Sequence, residues 1–525
     1  MSYHYQYPGL QPGMYSGGHA YGHPQTHYYP TIESPWLPAP APHSTQQLFR
    51  MDSQYVYPAQ ESGVQTPERI VQLTPRAARS AIGRIPCEIW MHIFRMCQSS
   101  NLELQRPSAH RAPLNLTHVC QGLRVIAQGD SNLWSTIVLT PGGSKHAFPH
   151  RRLLRLWLHL SANKRLTIIL HAGDMKRVTP FDSSDELWAD LSRVMDRWET
   201  LILWTGGGWN SPAISPFAAG HIPKNLKTIK LEGSVDIRCI TPLITQLVAS
   251  APSLQSFGWQ DKVGAERRFI PGFSQMINFG SRLLTRLELM NPIDVSELLH
   301  LLSRIPSLEE CTIKNLLLPS GFVQAAELYL PRLRSLSLMT DLDSFDTRGQ
   351  WGSILGNLLA KLAAPSLKNL SLGYDENWDQ KTFEAFIHRS QCRLDSLAFE
   401  IISLSENDLL RTLALMSGTT HIKSLTVNTG EDDRTPMTKS VIQSLFPGPQ
   451  CYCPSLQSVT VNKTTLTDSG GAFANMIQAR CQSWPGPRQV RISGSFNQFG
   501  RVRSDLKTLR QLSRTGAIYL LLDQE

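Results

Sequence analysis

Three constellations in this 525-residue chain carry side chains of the kinds that do chemistry. Cys451-Tyr452-Cys453, with Cys481 beyond it, offers three thiols to a soft metal such as zinc, which wants four ligands in a tetrahedron. No histidine stands at a familiar spacing to supply the fourth. Asp468-Ser469-Gly470-Gly471 sets a hydroxyl beside a carboxylate and two glycines. The glycine that a nucleophile segment of this kind needs ahead of it is missing, and so is an all-β context. Asp341, Asp343 and Asp346 are oxygen ligands in a short stretch, without the glycine and terminal glutamate of a calcium loop. No G-x-x-x-x-G-K-[ST], G-x-G-x-x-G or H-E-x-x-H occurs, and Gly206-Gly207-Gly208-Trp209 reads as a turn after a strand. A nucleophilic cysteine would need a partnered histidine, and Cys120 fits a core better. The expectation is therefore a chain with no active site, no cofactor and no metal, not an enzyme.

The elements that would position any site come from the rest of the sequence. Length suggests two to four folding units or one long repeat array. Hydrophobic residues make up 41 % and charged residues 18 %, enough for a large core plus a polar appendage. No apolar run approaches the roughly 18 residues that span a bilayer. The opening Met1-Ser2-Tyr3-His4-Tyr5 lacks a charged start and an apolar stretch, so a cytoplasmic or nuclear location is expected, with no membrane partner. Nine scattered cysteines fit reduced, buried thiols rather than a disulfide framework. The first 60 residues hold nine of the thirteen tyrosines and nine prolines, with almost no aliphatic side chains. Such a composition cannot offset backbone ordering entropy, and residues 1–80 are expected to form a disordered tail.

Net charge is +9. Residues 1–80 balance four basic against four acidic side chains, leaving 47 against 38 in the remainder, with no basic run longer than pairs such as Arg151-Arg152. This surplus has no linear footprint, and no nucleic-acid partner is expected.

At Ile82 the composition changes to Ile-Gly-Arg-Ile-Pro-Cys-Glu-Ile-Trp-Met-His-Ile-Phe. Pro86 suits a first helical position and Glu88 the first turn, where it complements the helix dipole. Ile85, Ile89 and Ile93 recur every four residues, with Trp90, Phe94 and Cys97 widening the apolar surface beyond one face. A second helical pattern runs through Leu116, Val119, Cys120, Leu123, Ile126 and Ala127, followed by Leu133-Trp134 and Ile137-Val138-Leu139. About 55 residues with this much apolar surface are marginal alone and read as a unit that docks.

Ile85-Pro86-x-Glu88-Ile89-Trp90-x-x-Ile93-Phe94, then Val119-Cys120-x-x-x-Arg124-x-Ile126-Ala127 and Leu133-Trp134, resemble the F-box, especially as found in mushroom-forming fungi. The resemblance covers residues 82–140. It implies a three-helix motif that binds the Skp adaptor of cullin-based ubiquitin ligases. The adaptor contacts it implies are Ile85, Pro86, Glu88, Ile89, Ile93 and Phe94 in the first helix, and Val119, Cys120 and Ile126 in the second. Leu123 stands where that family usually has tryptophan, Gln121 where a basic residue is usual, and Ser131-Asn132 where a proline precedes the Leu-Trp pair.

From Trp198 onward L-x-x-L-x-L, or a close relative, recurs ten times. The copies start at Trp198, Leu226, Leu254, Leu284, Leu308, Leu333, Leu367, Leu394, Ile422 and Leu456, a mean spacing of about 29 residues. Several copies are introduced by proline, as in Ala251-Pro252-Ser253-Leu254, and helical spacing fills intervals such as Val295 to Ile305 and Trp351 to Leu362. One strand-turn-helix unit cannot bury its leucines, but a stack makes one continuous core. The pattern resembles a leucine-rich-repeat solenoid. The expected fold is an α/β solenoid over residues 150–525, with a parallel sheet on its concave face. The asparagine usual after the strand is mostly missing. Leu153 to Leu158 and Leu166 to Leu170 are expected to cap the array at its start, and Leu506 to Leu512 and Ile518 to Leu522 to close it.

Strand side chains alternate, so positions between and after the buried leucines should face outward. Early copies put Thr228, Lys230, Glu232, Arg286, Glu288, Glu310, Thr312 and Lys314 there, and later ones mostly serine, threonine and asparagine. Three basic residues against four acidic ones over ten copies exclude a phosphate-tracking groove. A protein target is expected on this face, with Ser424, Thr426, Asn428, Ser458, Thr460 and Asn462 as its candidate contacts. Taken with the F-box resemblance, this implies a substrate-recognition subunit of a Skp-cullin-F-box ubiquitin ligase, acting by proximity. The alternative is a leucine-rich-repeat interaction scaffold whose degenerate F-box serves as an N-terminal cap. The departures at Gln121 and Leu123 favour it.

Overall fold

The computed structural model describes residues 84–98, 110–139, 151–172, 189–205, 223–233, 244–249, 251–260, 279, 283–319, 326–340, 352–417, 422–428, 435–483, 488–493 and 503–522, all within one unit, Arg69–Glu525. The tail expected over residues 1–80 lies outside them, as do Gly206 to Trp209 and Asp341 to Asp346.

Fourteen strands lie side by side in chain order, every neighbouring pair parallel. They are β1 (Thr136–Leu139), β2 (Leu166–Ala172), β3 (Trp198–Thr205), β4 (Thr228–Glu232), β5 (Ser256–Gln260), β6 (Arg286–Leu289), β8 (Glu310–Leu317), β10 (Ser335–Thr340), β12 (Asn369–Gly373), β13 (Ser396–Glu400), β14 (Ser424–Asn428), β15 (Ser458–Asn462), β16 (Arg488–Ser493) and β17 (Ile518–Leu522). The short β7 (Ile293–Asp294) pairs with β8, and β9 (Leu328–Tyr329) pairs with β11 (Leu362–Ala363).

The recurrent motif explains this order. The first apolar residue of all ten copies, Trp198 to Leu456, is at most 1 % exposed. In nine of the ten the strand begins two residues later. The introductory proline sits second in a β-turn, where its fixed φ is favoured. In each such turn the first leucine donates its N–H to the carbonyl before the proline, as Leu254 does to Ala251 at 3.2 Å and Leu456 to Cys453 at 3.1 Å. The turn aims the next two apolar residues into the core, and β10 alternates half-buried serine with buried leucine along its length. Polar side chains near strand ends take carbonyls of neighbouring segments. Asn315 donates to the Met290 carbonyl, and the Thr340 hydroxyl to that of Tyr374.

Helices return the chain between strands. Those placed are α4 (Arg151–Leu160), α5 (Val295–Ser303), α6 (Ile354–Leu359), α7 (Gln380–Ser390), α8 (Glu406–Ser417), α9 (Lys439–Ser444), α10 (Lys463–Ser469), α11 (Ala472–Ser483) and α12 (Arg503–Arg514), after α1 (Cys87–Met96), α2 (Leu114–Val119) and α3 (Gln121–Gly129). Asp294, Ser353, Asp379 and Asn462 cap α5, α6, α7 and α10 by accepting from backbone N–H groups. After α5 each helix packs on its predecessor, and strand and helix side chains share one core. A long parallel sheet whose described helices share one core with it is the leucine-rich-repeat-like α/β solenoid that the spacing predicts.

Four local expectations are corrected. Pro86 is the residue before α1 rather than inside it, and its carbonyl accepts from Ile89 and Trp90. The pattern Leu116 to Ala127 is two helices, broken where Cys120 is extended and its Sγ accepts from Leu123 N. Ile137 to Leu139 belong to the sheet, as β1. The interval Trp351 to Leu362 is helical only over α6, because Leu362 already pairs in β11.

Near the start of the array, Asp190 is buried and gathers three arginines. Arg151 Nε lies 2.8 Å, Arg155 Nε 2.9 Å and Arg193 Nη1 3.2 Å from its carboxylate. Burial pushes the Asp190 carboxyl up, and the hydrogen bonds and charges of Arg151 and Arg155 more than reverse this, leaving it below its ordinary value. A depressed folded-state pKa adds stability that is complete above the unfolded value of about 3.9 and is lost as pH falls through the folded one. Asp190→Asn should cost about 1–2 kcal/mol near neutrality, because water screens the half-exposed arginines. It should also flatten the acid limb of stability against pH. Urea midpoints from pH 6 down to pH 2 test this, and parallel losses in both proteins would exclude the cluster.

Candidate functional site

Residues 84–139 present a face of unpartnered apolar side chains. Five of the nine exposed large hydrophobic residues among those described are Ile85, Ile89, Met96, Val119 and Val125. On α1, Ile89 and Met96 fall at helical spacing on one open stripe, with Ile85 exposed two residues ahead of the helix and the half-buried Ile93 at the stripe's edge, against the core. The opposite side of α1 turns Phe94 inward, with Cys87, Trp90 and Met91 packed against the core. A helix apolar all round thus divides into one buried and one open stripe.

The nine adaptor contacts implied by resemblance separate accordingly. Ile85, Pro86, Glu88, Ile89 and Val119 are exposed, with Ile89 at 51 % and Val119 at 64 %, while Ile93 and Cys120 are half-buried. Phe94 at 2 % and Ile126 at 0 % are core residues, so neither can touch a partner without unfolding the unit. Phe94 lies against Trp90, and Ile126 joins Leu123 and Ala127 beneath α3. Met96 and Val125 belong to the open face although the resemblance does not include them. Met96 continues the helical spacing from Ile85, a signal already present in the sequence.

Ion pairing fixes this face relative to the array. Arg95 clasps the buried Asp130 carboxylate with Nε at 2.9 Å and Nη2 at 3.0 Å, tying α1 to the end of α3. Asp130 also accepts from Asn132 N and so starts the 3-10 turn Ser131–Trp134. Phe94, Leu123, Ile126 and Trp134 then share one core cluster with Leu154, Leu166 and the solenoid leucines. The helical unit has no separate core.

The second candidate face is the open side of the sheet, away from the helices. Over β1–β3 it is apolar and buried, with Val138, Ile169 and Ile202 in register as a small second cluster. From β4 to β15 it is mostly polar. Lys230, Arg286, Glu310 and Lys314 are exposed, and Thr228, Glu232, Glu288 and Thr312 half-buried. Arg286 Nε lies 2.9 Å from Glu310 across adjacent strands, which neutralises both. Burial raises the Glu400 pKa, and the charge of Lys314 opposes that.

Ser424 and Ser458 stand directly opposite each other, as do Thr426 and Thr460, with Asn428 half-buried at the end of β14. Asn462 does not belong with them. It is 6 % exposed, and its Oδ1 accepts from Thr465 N at 3.3 Å and from the Thr464 and Thr465 hydroxyls. Cap geometry withdraws the last residue of the strand from the face. Beyond the ten copies, β16 and β17 add Gln489, Arg491, Tyr519 and Leu521 to the same rows. The repeat pattern does not reach β16 because Pro487 stands where its leading leucine would be.

The thiols and the serine motif have structural roles. Arg480 Nη2 lies 3.1 Å from Cys451 Sγ, which places a cation where a metal would have to bind, while Cys481 Sγ turns toward the Ala517 carbonyl. Among the described residues no group of three His, Cys, Asp or Glu side chains is arranged to hold a metal. Ser469 is fully buried at the end of α10, with its hydroxyl 3.2 Å from Asp505, and Gly470 takes the left-handed conformation that ends that helix. Eight described cysteines are free, but only Cys311, Cys392 and Cys453 are buried, a narrower set than expected. Burial pushes the Cys311 and Cys453 thiols up to about 12, far from thiolate character at neutral pH. No described helix is long and apolar enough to cross a membrane.

No family model matches the chain. No curated protein matches it either. Among solved structures it is similar to the leucine-rich repeat-containing protein LegL7 from Legionella pneumophila, at 12 % identity and a TM-score of 0.33, over 64 % of this chain and 96 % of that one.

Proposed function

We propose that the chain is a non-enzymatic protein-recognition subunit with two docking faces. The α1 face takes a Skp-family adaptor, and through it a cullin ubiquitin ligase, while the open sheet face takes a protein target. The observation that carries this reading is the exposure of Ile85, Ile89 and Met96 in and just before α1, and of Val119 and Val125 in the two helices that follow. Apolar side chains held open to water at helical spacing mark an interaction surface. Ile85, Ile89 and Val119 among them also match the F-box pattern. The shared core supports a mechanism of proximity, because a rigid frame holds both partners at a fixed separation and raises the local concentration of target lysines. The ubiquitin transfer chemistry would belong to other subunits. On the target face, hydroxyl and amide groups with few unpaired charges suit recognition by hydrogen bonds and shape.

One observation favours a second reading, an interaction scaffold in which the helical unit is only an end cap. The side chains of α1 and α3 close the first turn of the array's core, as a cap would. Retention of purified Skp-family adaptor by the full chain separates the two. Ile89→Lys with Val119→Lys should weaken retention at least tenfold and leave the melting temperature unchanged, because both residues already face water. Tyr329→Lys, at an exposed apolar site elsewhere, should retain the adaptor. Failure of the folded wild-type chain to bind would sink the ligase reading and leave the cap.

A further inference from the structure

The positive charge has a footprint that only the helical fold reveals. Residues 435–525 carry ten basic side chains against four acidic ones, two thirds of the net +9 in the last 91 residues. On α12, Lys507, Arg510 and Arg514 are exposed. The intervals of three and four residues place them on one helix face, about 10 Å from end to end at 1.5 Å per residue. The acidic residue of this helix does not offset them. Asp505 is 2 % exposed and accepts from the Ser469 hydroxyl and the Gly471 backbone N–H. The neighbouring α11 exposes Asn475, Gln478 and Gln482, all neutral. No ion pair to Lys507, Arg510 or Arg514 is found among the described residues.

A single row of cations restricts the partner. A nucleic-acid duplex offers phosphates on both sides of a groove about 6–12 Å wide and calls for basic residues on more than one element. Single-stranded nucleic acid is held by stacking on exposed aromatic rings, and α12 has none. Membrane adsorption by a basic helix needs an apolar face to insert, whereas Leu506 and Leu509 are already in the core. An extended polypeptide places alternate side chains about 6.6 Å apart, close to the roughly 4.5–6 Å steps of this row. Arginine forks and carboxylates pair well at that spacing.

We propose that the exposed face of α12 docks an extended acidic polypeptide segment with carboxylates at alternate positions. This face is separate from α1 and from the open side of the sheet, and it stands whether or not the chain is a ligase subunit. The test is fluorescence anisotropy of the full-length protein with a labelled twelve-residue peptide alternating glutamate and serine, and with a single-stranded and a duplex RNA of matched charge. Binding of the peptide should weaken with salt. It should fall at least tenfold in Lys507→Gln/Arg510→Gln/Arg514→Gln, and further when all three become glutamate. If the glutamate variant fails to fold, the glutamine variant decides. Lys224→Gln/Arg332→Gln/Lys368→Gln removes the same charge from exposed positions elsewhere and should bind as wild type. Equal loss in that control, unchanged binding in the α12 variants, or tighter binding of either RNA would overturn the proposal.

Discussion

Trp134→Ala should destabilise the protein by about 4 kcal/mol, the range for emptying a fully buried aromatic site. Trp134 is 1 % exposed, donates Nε1–H to the Ala127 carbonyl at 2.8 Å, and packs edge-on against Trp157 with ring centroids 4.9 Å apart. The indole thus joins α3 to α4, the helical unit to the first helix of the array. Its loss leaves a cavity and a buried carbonyl without its donor. Trp134→Phe fills most of the volume and should cost about half as much, the remainder reflecting the hydrogen bond. Urea unfolding read by the fluorescence of the remaining tryptophans and by circular dichroism should show one shifted transition, because the two parts share a core. Two transitions, with the array midpoint unmoved, would mean that the helical unit melts separately and cannot hold its partner rigidly to the array.

Arg480→Met should cost about 3 kcal/mol, the scale of several buried hydrogen bonds left unmade. Arg480 is 1 % exposed on α11 and reaches into the segment before β15. Nε donates to the Leu445 carbonyl at 2.7 Å, Nη1 to that of Cys453 at 3.3 Å, and Nη2 to that of Tyr452 at 3.3 Å. Methionine keeps the packing of the stem but leaves three buried carbonyls without these donors, at about 1–3 kcal/mol for each that finds no water. Burying a guanidinium is itself costly, and replacing a buried charge by an apolar side chain is in some proteins neutral. The urea midpoint decides between these. If the Arg480→Met variant lies within about 0.5 kcal/mol of wild type, desolvation of the guanidinium cancels its hydrogen bonds. Arg480→Lys should fall between, since one ammonium cannot span all three carbonyls.

Much of the fold follows from local physics. Leu254, Leu308 and Leu456 are buried ahead of their strands because a proline turn and a two-residue alternation leave the chain one way to hide them. Parallel stacking follows, since each unit exposes apolar edges that only another like it can cover. The helices α5 and α12 and the closing strand β17 lie where their periodicity puts them. Two strands escape that logic: β16, whose leading leucine position is Pro487, and β1, whose four residues read as the end of a helical unit until β2 pairs with them.

The docking faces are another matter. Periodicity gives α1 apolar residues on more than one side, and nothing within the helix says which side meets a neighbour. Packing against α3 and the first strands makes Phe94 core and leaves Ile89 open. In the same way, the cap of α10 removes Asn462 from the open sheet face, and packing draws Arg480 onto Cys451, a contact that the spacing of the three cysteines does not suggest. The row on α12 is invisible as a run of letters, because its charges are three and four residues apart. Each element prescribes the relation among its own side chains, while the neighbour it packs against chooses the face that remains for a partner.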